Sequence, residues 1–176
     1  MQKNMRPLAS GLTVLGAVAR LLPHLPNFSP VGSISLFAGA RMRGWQAYVL
    51  PLVLMAVTDP LVGGYSAATP LIYASFLINV WIGSRLRGTE NPLWIGMGIA
   101  AGSLQFFLLT NFAWLAGSAM YPHTLAGVMQ CYAAALPFYG RTLASDFLYS
   151  GALFGLHAWL TRVVARNERV QALQTA

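Results

Sequence analysis

From Pro92 to Gly117 the chain runs without one Asp, Glu, Lys or Arg. A helix needs about 20 mostly apolar residues to cross the hydrocarbon core of a bilayer, with about 17 as a lower bound. Similar apolar segments are read at 7–23, 28–41, 45–61, 69–85 and 142–164, of which 28–41 is short and helped by the coil before it. Pro7, Pro70 and Pro92 lie near the starts of their segments, where a missing N–H costs little. A soluble domain carries about 25% charged residues; this chain has 9%, too few to cover its surface, against 56% hydrophobic. The expectation is an all-α fold: a polytopic helical membrane bundle with about six transmembrane helices, formed by residues 1–176 as one domain.

Net charge +7 raises nucleic acid as a partner, but the basic residues fall as short pairs between apolar runs. They read as cytoplasmic anchors, so the bilayer and not a nucleic acid is the expected surface. The basic start and first apolar stretch resemble a signal peptide, yet the chain beyond stays apolar, which favours a retained first span. With the N-terminus inside, Lys3 and Arg6, Arg41 and Arg43, and Arg85 and Arg87 share the cytoplasmic side. Arg162, Arg166 and Arg169 join them only when the number of crossings is even. The apolar stretch 122–139 is therefore expected as a re-entrant or surface helix on the outer side, tolerable where protein or a cavity shelters its ends. The location that follows is the bacterial inner membrane, multi-pass, with both termini cytoplasmic.

That topology sends the polar residues to one side. Arg20 ends the first span on the outer side, and His24 and Asn27 follow it in the loop. Asp59 lies at the outer end of the third span and Asn111 in the outer part of the fifth. Arg141 precedes the last span, Asp146 lies one turn inside it, and Tyr149 shares its face three residues later. Ionisable groups at such depth cost a few kcal/mol and usually face the bundle interior, where they find partners. Arg20, His24, Asn27, Asp59, Asn111, Arg141, Asp146 and Tyr149 are thus the expected rim of a ligand pocket. Each has a plainer alternative. Asp59–Pro60 suits a span-ending turn, Asp146 a helix cap, Arg20 a snorkelling cation, and Asn111 a helix–helix hydrogen bond. Phe28, Tyr65, Phe112, Trp114, Phe138 and Tyr139 suit either a stacking surface for a flat ligand or an interfacial aromatic belt. Pro23, Pro26 and Pro30 keep the loop from becoming helix, and irregular backbone is tolerable at membrane depth where it borders a cavity.

Small residues mark close helix contacts. Ala9, Thr13, Gly16, Ala17 and Arg20 recur at helical spacing on the first span, and Gly98/Gly102 and Gly151/Gly155 are small-xxx-small pairs. Most such pairs pack helices within one chain; a minority dock a partner.

Catalytic signatures are missing. No GxxxxGK[ST] occurs, Lys3 is the sole lysine, and neither HExxH nor GxSxG is present. The chain is not expected to hydrolyse ATP by a P-loop or to be an enzyme. His24, His123, His157 and Cys131 lack metal-ligand spacing, and the lone cysteine excludes an internal disulfide. No metal and no cofactor are expected.

The runs LPNFSPVGSISLFAGARM (25–42), TDP (58–60) and LLTNFAWLAGSAMYPHTLAGVMQCYAAALPFYGRTLASDFLYSGALFG (108–155) resemble an uncharacterised bacterial inner-membrane family described as transport proteins. That family is similar to the substrate-binding S components of energy-coupling-factor (ECF) vitamin transporters. The resemblance implies a vitamin-like ligand, uptake across the membrane, and a transmembrane coupling subunit with ATPase subunits as partners. S components carry an Ala-xxx-Ala face on the first span for that coupling subunit; here the strip reads Ala9, Thr13, Ala17. A carboxylate-bearing vitamin pairing with Arg20 or Arg141 is one guess at the ligand. The leading expectation is a substrate-binding membrane protein in small-molecule uptake. The alternatives are a structural or assembly subunit without ligand transport and, last, an intramembrane enzyme.

Overall fold

The computed structural model describes residues 5–22, 25–117 and 120–174, and of 5–6 and 113–117 the backbone alone. The described residues form six helices and no strand: α1 (Met5–Ala19), α2 (Val31–Arg41), α3 (Gln46–Val62), α4 (Thr69–Arg85), α5 (Pro92–Gly117) and α6 (Leu125–Gln174). The all-α expectation holds. Among these helices α5 alone is both long and apolar enough, over Pro92–Phe112, to cross a membrane by length and composition; Pro7–Ala19 and Gln46–Val62 are apolar but shorter.

The shortest helix lies at the centre. α2 spans only about 16 Å at 1.5 Å per residue, yet Val31 and Ser33 through Ala40 are all buried. Every other helix packs against it. Its partner at closest approach is α4. A Cβ on Gly39 would run into the Val80 carbonyl oxygen, and one on Gly83 into that of Leu36. The two backbones meet where neither carries a side chain, the usual route to close helix crossing. Phe37, fully buried, stands edge-on to Phe154 of α6 at 5.3 Å between centroids.

The first helix turns its small residues inward. Ala9 and Thr13 are fully buried and Ala17 nearly so. The Thr13 hydroxyl donates to the Ala9 carbonyl (2.8 Å) and lies 3.7 Å from Met42 Sδ. Gly16 sits where a Cβ would press on Ile34. The expectation that Ala9, Thr13 and Ala17 form a docking face is corrected by this packing, because a partner cannot reach side chains that α1 has closed against its own bundle. Gly98 and Gly102 likewise face Leu86 and Asn79 within the chain, whereas Gly151 and Gly155 are exposed with nothing within 4 Å of an added Cβ.

The separate outer helix at 122–139 is also corrected. Residues 125–174 form one helix of about 75 Å, with Pro137 and Gly140 inside it. A mid-helix glycine costs only about 1 kcal/mol relative to alanine. The N-terminal part of α6 is held along α5, where the Phe107 ring meets Tyr132 and Tyr139 at 5.6 and 4.8 Å.

The two ends of the bundle differ in character. At one end Arg41 donates to the carbonyls of Thr89 (2.8 Å) and Leu86 (3.4 Å), and Arg87 to that of Gly39 (3.1 Å). At the other end Arg20, Asp59 and the loop before α2 come together.

Candidate functional site

Polar side chains are buried inside this bundle beside an apolar core, and large apolar side chains also cover its outside. Buried polar residues include Thr13, Ser33, Thr58, Asp59, Asn79, Ser103, Ser145 and Asp146. Trp45, Val49, Val53, Val57 and Leu61, every fourth residue along α3, are all exposed. Fourfold spacing makes neighbours of each successive pair, so the five, from the N-cap Trp45 onward, form a ridge that winds slowly around the helix.

The site grows from three helix ends. Arg20 follows α1, and its guanidinium reaches Asp59 near the end of α3, with Nη2 to Oδ1 at 2.6 Å. Its Nη1 donates to Thr58 Oγ1 at 2.7 Å, and Tyr73 of α4 donates to the other Asp59 oxygen at 2.5 Å. Both carboxylate oxygens and two guanidinium nitrogens are therefore engaged. Added hydrogen bonds of this kind are what a paired charge needs away from water.

The second acid is held differently. Asp146 of α6 is 5% exposed and stands at the N-terminal end of α2. Its Oδ2 accepts from Ser103 Oγ of α5 (2.5 Å), and the Ser33 backbone N–H donates to the same carboxylate; the Ser33 hydroxyl donates to the Asp146 main-chain carbonyl (3.1 Å) and lies 3.4 Å from Oδ1. The helix N-terminus supplies partial positive charge there. Gly32 makes the approach possible, since a Cβ on it would sit 2.5 Å from Asp146 Oδ1. Among the described residues, no Lys, Arg or His forms an ion pair with Asp146.

A cavity of about 230 Å³ lies between these two centres. Arg20, Asn27, Asp59 and Asp146 all line it, together with Tyr73 and an apolar wall that includes Val31, Met55, Ile72, Phe76 and Phe106. Phe76 and Phe106 stack at 5.2 Å. Asn27 adopts φ 61°, the sole positive φ outside glycine among the described residues, a region that Asn tolerates better than most. Its loop is fastened to one face of α6. Thr142 donates to the Asn27 carbonyl (3.3 Å), Ser145 to that of Ser29 (2.9 Å), and Tyr149 meets the Phe28 ring at 6.0 Å.

The expected rim is thus brought together in part. Asn111 lines a second, larger cavity of about 510 Å³ between α5 and α6, which shares Asn27, Phe106 and Thr142 with the first. Asn111 Nδ2 donates to the Phe107 carbonyl at 2.7 Å, a bond within its own helix. Arg141 is exposed and lines neither cavity, because its side of α6 turns away from the loop. Tyr149 packs on Phe28 and lies outside both linings. His24 and the Trp114 side chain lie outside the described residues. Thr58, Tyr73, Ser33 and Ser103, which hold the two acids, escaped the sequence reading. The signal for two of the loop fasteners was present in Thr142, Ser145, Asp146 and Tyr149, a polar strip at i, i+3, i+4 and i+7. No three His, Cys, Asp or Glu side chains cluster among the described residues in a way that would hold a metal.

No curated protein matches the chain, and no solved structure does. One family model covers nearly all of it, residues 1–170, under the description "Family of unknown function (DUF6580)". The chain therefore belongs to the DUF6580 family.

Proposed function

We propose that this chain is a multi-pass protein of the bacterial inner membrane that binds a small molecule in the cavity between Arg20–Asp59 and Asp146, and takes part in its uptake. The observation that carries the proposal is a cavity lined by charged side chains inside a bundle whose outside carries large apolar ones. Acids, an arginine and serines face a cavity inside, while a continuous ridge from Trp45 to Leu61 faces out. In water such a ridge is an aggregation liability; in lipid it has a solvent. Polar residues within a membrane bundle face its interior or a water-filled cavity and mark substrate pathways.

The short helices fit the same reading. Irregular backbone is tolerated at membrane depth only where protein or a cavity shelters it, and the loop 25–30 borders the cavity and is fastened to α6. α2 together with this loop then forms one crossing. All six helices cross once, leaving the Arg41 end cytoplasmic, where Arg85, Arg87 and the basic end of α6 also fall. With no phosphate-cradling loop in the sequence, energy for uptake comes from elsewhere, such as an ATPase-driven coupling subunit of the ECF kind. Any such subunit meets the outward side chains of α1, Val14, Leu15 and Val18, rather than the buried Ala9–Ala17 strip.

Native mass spectrometry of the protein released from membranes tests this reading. A small-molecule adduct that survives purification supports it. A protein recovered from the soluble fraction, or one that never carries an adduct, favours a structural or assembly role instead.

A further inference from the structure

We infer that the occupant of this cavity is a small organic monocation, a protonated amine, amidine or cationic heteroaromatic, rather than a carboxylate. The inference rests on the proposal that the cavity is a ligand site, and it names the ligand's class. Three charged side chains line the cavity: Arg20, Asp59 and Asp146. One positive and two negative charges leave the wall with a formal charge of −1.

The positions of those charges matter more than their sum. The cavity has two features able to receive an anion: the Arg20 guanidinium and the N-terminal end of α2. Each is already occupied by a carboxylate of the chain itself. Asp59 holds Arg20 at 2.6 Å, and Asp146 takes the Ser33 N–H and hydroxyl at the start of α2. Gly32, whose missing side chain admits Asp146 to that position, sets the carboxylate's own charge where a second anion would have to approach. An incoming carboxylate must therefore share Arg20 with Asp59, or approach the charge of Asp146 at the start of α2, and like charges brought together in a buried site disfavour each other.

A cation displaces nothing. Asp146 makes its bonds to serines and a backbone N–H, all neutral donors, and a carboxylate offers about four acceptor positions over its two oxygens. Capacity remains on the cavity side for one more donor, and a charged donor there forms the stronger, charge-assisted bond. The opposite wall of Val31, Met55, Phe76 and Phe106 requires an apolar body on that cation, which a bare metal ion lacks. Aromatic faces near a cation add attraction rather than cost.

Benzamidine, benzamide and benzoate form a nearly isosteric set carrying +1, 0 and −1, small enough for about 230 Å³. Each is titrated into the purified wild-type protein in detergent, with binding followed by isothermal calorimetry and by the shift in melting temperature. Benzamidine is expected to bind at least tenfold more tightly than benzoate, with benzamide between them. In Asp146→Asn the preference for benzamidine should shrink at least tenfold. Gly32→Ala, which crowds the carboxylate but keeps its charge, should weaken benzamidine while leaving the order of the three unchanged. Benzoate binding as well as benzamidine or better in the wild type overturns the charge assignment while leaving the cavity a ligand site. Binding by none of the three at millimolar concentration overturns the ligand site itself. Because the wild-type order decides, an Asn variant that fails to fold does not remove the test.

Discussion

Arg20 and Asp59 meet at 2.6 Å across the interface of α1 and α3, with side chains only 14% and 9% exposed. The pair joins α1 to α3 and forms one wall of the cavity. Removing one partner of a buried pair leaves an uncompensated charge at a cost of about 3–5 kcal/mol, whereas replacing both by apolar groups of similar volume is often neutral. Arg20→Met and Asp59→Leu should each lower the melting temperature of the purified protein markedly. The double variant should recover most of the loss. Additive losses in the double variant would show that the two side chains do not act as a pair.

Gly39 and Gly83 predict a second contrast. Alanine at either drives a Cβ into a backbone carbonyl of the facing helix, which cannot swing aside as a side chain can. Overpacking of a tight interior costs about 1–3 kcal/mol, and the α2–α4 crossing should lie at the upper end. Gly151→Ala, with open space around it, should be neutral or slightly stabilising, since alanine is the better helix former. Thermal unfolding of the three variants in one detergent checks the order. Equal stability of Gly39→Ala and Gly151→Ala would contradict the crossing.

The strip on α1 predicts a loss of fold rather than a loss of partner. Leucine at Thr13 or Ala17 has no space in the packed interior, so both variants should give poor yield and early melting. Leucine at Gly11, which is exposed with nothing within 4 Å, should be tolerated. If Thr13→Leu folds normally and alters only an association, the inward orientation of this face is wrong.

How far the sequence could be read follows from what each residue pattern specifies. Segments 69–85 and 92–117 coincide end for end with α4 and α5, because a proline at the start and a basic or glycine-rich stop mark both ends. Arg20, Asn27, Asp59 and Asp146 were expected as a group because an up-and-down arrangement of helical segments sends them to one end, and all four line one cavity. The orientation of α1 was not legible. Small residues permit close packing on either side of a helix, and only the positions of Ile34 and Met42 decide that Ala9, Thr13 and Ala17 face inward. The segments 122–139 and 142–164 were separated in the sequence, but a lone glycine at 140 does not stop a helix, and α6 runs through it with Tyr139 packed on Phe107. Arg141 and Asp146 lie five residues apart, and that rotation separates an exposed side chain from a buried one.

Topology gives a fourth expectation. The proposed topology of six crossings would place both termini on one side of the membrane, the side of Arg41, Arg85 and Arg87. Reporter fusions after residue 174 should be active only as cytoplasmic reporters, and fusions in the 120–124 turn only as periplasmic ones. A C-terminal fusion active in the periplasm would mean an odd number of crossings.

The measurement that bears most directly on the central claim compares the wild type with Ile72→Trp. Ile72 lines the cavity without touching the acids' hydrogen bonds, and an indole there fills much of the space. Both proteins are extracted from membranes, purified in the same detergent and denatured, and the released small molecules are identified by mass spectrometry against a mock preparation. A compound retained by the wild type in near-stoichiometric amount and absent from a folded Ile72→Trp is the predicted result. The same compounds on both proteins, or none on either while both remain folded, would contradict the account.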